Sequence, residues 1–441
     1  MRSGFRALSF AVAASVFFSA AGMAGGVKAE GADPVIRSKS AILVEQSTGQ
    51  TLFESNADEA LAPASITKVM TMLLVMEALD EGRIRLEDPV TASDYASSMG
   101  GSQIWLEPNE QMTVHELLKA TAVASANDAA VALAEYVSGT ESAFVDAMNK
   151  KAEALGMRNT RFVNCTGLDE EGHYTSARDI AVMAGELLRH PKITEYTTIW
   201  MDHLRGGETE LVNTNKLIYH YQGATGLKTG STDNAGKCLC ASAVRAGMGL
   251  ISVVLGAPDS DTQFGDSRTL LDWGFGNFMN AKIELPDALP PLKVEHGVSE
   301  KVSLYAVPPE SVVIDRKDEG RLAYEVTVSE SVSAPVENNQ TVGRVVVHID
   351  SKELCSFPIK TKNGVARMTF LRAAGRLGRS LFSMGSVERP ADERMDFSSP
   401  SSSAAPAASE ESSQAGEGEE DSAGNEPSSS PAGVDISRII R

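Results

Sequence analysis

Residues 34–280 carry strand-like runs at both ends with helical patterns between them, and no other feature of the sequence restricts the fold as much. Residues 40–44 and 50–54 read as a short hairpin around Ser47-Thr48-Gly49, and residues 238–246 and 250–257 as a second pair joined by a glycine-containing turn. Between the pairs, residues 66–79 and 114–136 repeat apolar side chains at helical spacing. Strands at both ends with helices between imply one sheet assembled from distant parts of the chain, so the region reads as a single α/β domain.

A chain of 441 residues is long enough for two folded domains with appendages. At 42% hydrophobic and 22% charged, its composition is that of a soluble globular protein and excludes a multi-span membrane protein. After Trp273-Gly274-Phe275 the texture changes. A link containing Pro286, Pro290 and Pro291 leads into β-branched, alternating runs at 302–307, 311–314, 322–328 and 341–349, which predict a small all-β domain over 286–362 with no catalytic constellation.

The ends of the chain read differently. Arg2 and Arg6, an apolar stretch over 7–24 and the closing Val27-Lys28-Ala29 predict a cleaved export signal over residues 1–29; the alternative is a retained anchor, and both put the body outside the cytoplasm. Disulfides are possible there, but Cys238 and Cys240 stand two apart in a strand-like run, on one face, and buried free thiols are expected for them, Cys165 and Cys355. No CxxC pair or histidine cluster suggests a metal, and no cofactor is expected. Residues 366–384 hold four arginines and no acid. On a helix Arg372, Arg376 and Arg379 share one face, with Phe370, Leu377, Leu381 and Met384 opposite. Such a segment (365–386) suits either an anionic membrane surface or packing against the protein's own β domain, and Gly375 and Gly378 weaken it as a helix. Residues 397–441 lack the apolar residues a core needs and read as a disordered acidic tail. From residue 391 onward eleven acids and three bases give −8 of the net −19, leaving −11 for the rest, which disfavours a nucleic-acid partner.

Three short motifs carry chemistry. In Ser65-Ile66-Thr67-Lys68, at the start of the first helical pattern, spacing of three puts Ser65 and Lys68 on one helix face. A serine hydroxyl needs a base to become a nucleophile, and a lysine can serve once desolvation and positive neighbours lower its pKa. Ser125-Ala126-Asn127 falls inside the second helical pattern and could set a hydroxyl beside a lysine and an amide beside a substrate carbonyl. Lys228-Thr229-Gly230, followed by Ser231 and a strand pattern, could supply charge, a hydroxyl and room for backbone approach where an extended peptide pairs with an edge strand. Each motif alone also fits an ordinary surface or packing role. The weight comes from their order, at separations of 60 and 103 residues.

That set is shared by serine penicillin-binding proteins and class A β-lactamases. The wider stretches, Ala62-Pro63-Ala64-Ser65-Ile66-Thr67-Lys68, Ser125-Ala126-Asn127-Asp128, Gly226-Leu227-Lys228-Thr229-Gly230-Ser231-Thr232 and Leu271-Asp272-Trp273-Gly274-Phe275, resemble low-molecular-mass D-alanyl-D-alanine carboxypeptidases over residues 36–280. The resemblance implies a β-lactamase/transpeptidase-like antiparallel sheet flanked by helices, and action on peptidoglycan stem peptides ending in D-Ala-D-Ala. It implies that Ser65 attacks the penultimate D-Ala carbonyl, Lys68 accepts its proton, Ser125 relays a proton to the leaving amine and Asn127 orients the substrate. Lys228 and Thr229 would bind the strand-like peptide and its carboxylate, Gly230 would admit its backbone, and the N–H groups of Ser65 and Ser231 would form the oxyanion hole. β-Lactams would be trapped on Ser65, and residues 366–384 would rest on the outer face of the cytoplasmic membrane, since the family commonly carries such a segment. Two departures stand out. Ala126 replaces a frequent glycine, a change acceptable on a helix, and Gly256-Ala257-Pro258-Asp259 lacks an arginine that helps hold the terminal carboxylate in some members. Rival readings are a β-lactamase, for which Glu186 sits in a helical, surface-like pattern, an endopeptidase or transpeptidase, and a non-catalytic wall-binding protein.

Overall fold

The computed structural model describes residues 7–9, 33–285 and 289–383. The expected export signal lies outside these residues except for Ala7–Ser9, which pair with Thr327–Ser329; the acidic tail lies wholly outside.

The two hairpins do join. Strands β1 (Ser40–Glu45), β2 (Thr51–Ser55), β3 (Ala224–Thr232), β4 (Gly236–Arg245) and β5 (Met248–Ala257) form one antiparallel sheet in the order β2-β1-β5-β4-β3. Register follows the period of two. Cys238 and Cys240 in β4 and Ile251, Val253 and Leu255 in β5 face a core shared with helix α1 (Lys68–Asp80), while Leu239, Ala241, Ala243, Leu250 and Val254 pack on the other side against Leu270 and Leu271. The latter pair belongs to the long helix over Ser260–Asn277, capped by Asp259, whose carboxylate accepts the Thr262 N–H at 2.7 Å. The segment where the arginine is missing is thus a helix start. All four cysteines are free; Cys165, Cys238 and Cys240 are buried, as expected, whereas Cys355 is only half-buried.

Helix α1 is apolar on every side. From Lys68 through Met76 each residue is buried, so this is a central helix wrapped by others, and a charged residue at its start is cut off from water. The pattern over 114–136 is corrected by the structure. It forms two helices, α2 (Val114–Val123) and α3 (Asn127–Ser138), broken where Ser125 takes φ +63°. Both helices bury small apolar residues, so the spacing runs on through a turn that a left-handed residue interrupts. Ala126 is consequently not helical. It is extended (φ −60°, ψ 122°) and fully buried at the N-cap of α3, so a small side chain is tolerated because it fits the core.

Beyond the long helix, Phe278–Lys282 pairs with Ser311–Asp315, and Arg316 Nε donates to the Phe275 carbonyl at 2.9 Å. A further antiparallel sheet aligns Ala323–Ser329, Thr341–Ile349, Lys352–Thr361 and Leu304–Ala306 in that order, over a core that includes Val345, Val347, Phe357 and Ile359. The strand over Lys352–Thr361 escapes the sequence pattern because only Phe357, Ile359 and Thr361 are buried and Pro358, a residue that strands disfavour, stands among them. The segment with four arginines is helical over Phe370–Ser383 despite Gly375 and Gly378, with Phe370, Leu371 and Leu377 exposed; Met384 lies outside the described residues. A compact unit ends at Gly375, and the next begins at Arg376. Among the described residues no helix is long and apolar enough to cross a membrane.

Candidate active site

Ser65 stands on a single 3-10 turn, Ala64–Thr67, that runs directly into α1. Ala64 adopts φ +49°, a conformation that a side chain resists, and the turn is pressed from two sides. A Cβ added to Gly230 would meet the Pro63 carbonyl at 2.9 Å and the Ala64 Cβ at 3.0 Å, and one added to Gly167 would collide with the Ala64 carbonyl. Glycine at 230 therefore lets β3 close onto the turn, which brings Lys228-Thr229-Gly230 against Ser65-Ile66-Thr67-Lys68.

Lys68 is 0% exposed, and its Nζ lies 3.0 Å from Ser65 Oγ and 2.7 Å from the Thr166 carbonyl. Burial, only partly opposed by Cys165 and Asp128, lowers its pKa from 10.5 to about 7. Near neutrality it is thus substantially a free amine. Such an amine can donate to the Thr166 oxygen and still offer its lone pair to the Ser65 hydroxyl. Lys228, 1% exposed with Nζ 3.1 Å from the Thr229 carbonyl, is pushed well below the ordinary lysine range by burial and then by repulsion from Lys68.

Ser125 Oγ and Asn127 Oδ1 are buried and find no hydrogen-bond partner among the described residues. Unpaired buried polar atoms are costly and rare, so two within three residues mark a place where a ligand or water completes the bonding. The other atoms of Asn127 are engaged: its N–H donates to the Ser102 carbonyl (2.7 Å) and Nδ2 to the Gly100 carbonyl (2.6 Å), tying down the 100–106 loop. The adjacent Asp128, fully buried, accepts the N–H groups of Ile104 (3.1 Å) and Leu106 (3.0 Å). Thr229 Oγ1 donates to Thr214 Oγ1 at 2.6 Å, and Ser231, exposed, accepts from Lys237 Nζ at 2.7 Å.

Motif reading missed Thr166, which acts through its backbone, along with Asp128 and Thr214. A backbone carbonyl leaves no signal in sequence, and Asp128 was visible only as the residue after the second motif. Glu186, considered as a hydrolytic base, is instead paired with Lys151 (3.4 Å) from the helix Glu141–Ala154 and with Arg189 (3.6 Å) just past the end of its own helix. A cavity of about 480 Å³ lined by Glu54, Asn56, Asp58, Glu59 and Arg178 contains none of the motif residues.

A serine beside a lysine whose pKa lies near neutrality, closed over by an edge strand, together with the buried and unpaired Ser125 Oγ and Asn127 Oδ1 among the described residues, defines a serine acyl-transfer enzyme of the penicillin-binding class. Residues 27–259 match the D-alanyl-D-alanine carboxypeptidase family model, and residues 287–367 match the C-terminal domain of penicillin-binding protein 5. The D-alanyl-D-alanine carboxypeptidase DacF of Bacillus subtilis is 44% identical over 338 residues, covering 76% of this chain and 87% of that protein. DacC of Escherichia coli is 36% identical over 335 residues, 74% of this chain and 84% of that protein. The crystal structure of penicillin binding protein 5 from Haemophilus influenzae superposes with a TM-score of 0.71 at 32% identity, over 78% of this chain and all of that one. The chain belongs to the D-alanyl-D-alanine carboxypeptidase family. It is a serine-type D-Ala-D-Ala carboxypeptidase of peptidoglycan metabolism, acting outside the cytoplasm.

Proposed function

We propose that Ser65 is the nucleophile and Lys68 its proton acceptor, and that the reaction removes the terminal D-alanine from stem pentapeptides through an acyl-enzyme. The observation that carries this reading is the buried Lys68, with a pKa near 7 and its Nζ 3.0 Å from Ser65 Oγ. A proton leaves Ser65 Oγ for Lys68 Nζ as Oγ bonds to the penultimate D-Ala carbonyl carbon. Ser125 passes a proton to the departing amine, and water then cleaves the ester. The N–H groups of Ser65 and Ser231 receive the oxyanion, Asn127 orients the peptide, Gly230 gives its backbone room, and Lys228 with Thr229 takes the terminal carboxylate. An arriving carboxylate favours protonated Lys228, offsetting the burial that otherwise disfavours its charge. β-Lactams acylate Ser65 by the same steps.

The division into an export signal (1–29), catalytic domain (34–280), β domain (286–362), amphipathic segment (365–386) and acidic tail (397–441) belongs to the same proposal. So does attachment to the outer face of the cytoplasmic membrane. Supporting it, Phe370 is 87% exposed and Leu371 83% exposed on a helix that contains Arg372 and follows Arg367. Release of D-alanine from a stem pentapeptide by the purified protein tests the chemistry. It should vanish in Ser65→Ala and after penicillin treatment; release that survives both would refute the assignment.

A further inference from the structure

The turn that bears Ser65 and the first turn of α1 are tied to a single loop, residues 163–173. Thr71 Oγ1 donates to the Cys165 carbonyl (2.6 Å), Lys68 Nζ to the Thr166 carbonyl (2.7 Å), and Thr67 Oγ1 meets His173 Nε2 (2.9 Å). The Val163 N–H donates to His173 Nδ1 at 3.2 Å, so Nδ1 carries the lone pair and Nε2 the proton, which it gives to Thr67. His173 thereby closes both ends of the loop onto the turn that bears Ser65. We propose that His173 is a positioning residue that, as a neutral donor to Thr67, holds the loop so that the Thr166 carbonyl fixes the Lys68 amine against Ser65. Burial pushes the His173 pKa down to about 4, against an opposing pull from Asp169, so the ring keeps this tautomer through the working range. Phe162 packs edge-on against the ring, and Asn164 Oδ1, accepting the Gly167 N–H at 2.7 Å, shapes the middle of the loop.

The inference rests on Lys68 being the proton acceptor of Ser65. Loss of the Thr166 carbonyl removes an acceptor that favours the charged amine, so the Lys68 pKa falls further and its aim is lost. The test is the second-order rate of acylation by a fluorescent penicillin from pH 5 to 9, with the acyl site mapped, in the full chain. His173→Leu and Thr67→Val should each lower the plateau about tenfold or more and move the acid limb to lower pH. The double variant should be no slower than either single, and His173→Gln, which keeps a donor and an acceptor, should recover most of the rate. If His173→Leu does not fold, Thr67→Val decides. A folded single variant with the wild-type plateau and limb, or a double variant whose losses multiply, overturns the proposal. Wild type that is not acylated at Ser65 overturns the active-site reading itself.

Discussion

Lys68 should destabilise the fold that it serves, and replacing it with methionine measures by how much. In the unfolded chain its pKa is 10.5, and in the fold about 7. Above 10.5 both states hold a neutral amine and the shift has no effect. As pH falls from 10.5 the unfolded lysine binds a proton that the folded one refuses, so the penalty grows until about pH 7 and is constant below. At about 1.4 kcal/mol per unit the full penalty is about 5 kcal/mol. Lys68→Met removes it, and also relieves the repulsion on Lys228. Against this, the Thr166 carbonyl loses its donor, costing roughly 1–3 kcal/mol. The net gain below pH 7 is therefore about 2–4 kcal/mol, or roughly 4–16 °C in melting temperature for a domain of this size. Thermal and urea melts of both proteins at pH 6, 8 and 10 give the comparison. The variant should be inactive, more stable at pH 6, and should lose that advantage towards pH 10. A stability difference that does not change with pH would refute the burial argument.

Other substitutions separate positioning from stability. Ser125→Gly removes a hydroxyl without a partner among the described residues and relaxes the φ of +63°, so urea melts should show a gain of about 1 kcal/mol while D-alanine release falls at least a hundredfold. Gly230→Ala sets a Cβ 2.9 Å from the Pro63 carbonyl; penicillin acylation should slow about tenfold or more, with a stability loss of roughly 1–3 kcal/mol. Asp128→Asn removes a charge that raises the Lys68 pKa, so the acid limb of acylation should move to lower pH in a pH-rate profile, with about 1–2 kcal/mol lost because the amide is a weaker acceptor for Ile104 and Leu106.

Much of the fold was legible in the sequence because burial imposes local periods. The two hairpins, the apolar helix after Ser65 and the alternating runs beyond Pro291 all show through a period of 2 or 3.6. The three motifs were legible for another reason, since their chemistry requires particular residue types in order. The break at Ser125 was not, because buried alanines on α2 and α3 continue one helical spacing across a residue whose backbone alone departs from it.

By itself, then, the sequence determined which groups are present: Ser65, Lys68, Ser125, Asn127 and Lys228, an α/β body and a β-rich continuation. Tertiary structure decided what those groups are. A lysine is an ammonium in any unfolded chain near neutral pH; only the closure of α1 within other helices strips its water and lowers its pKa to about 7. Likewise the Thr166 carbonyl, 98 residues from Lys68 in the chain, becomes its partner only once the 163–173 loop folds over the nucleophile turn. Desolvation and long-range contact belong to the packed molecule, and no local stretch of sequence contains them.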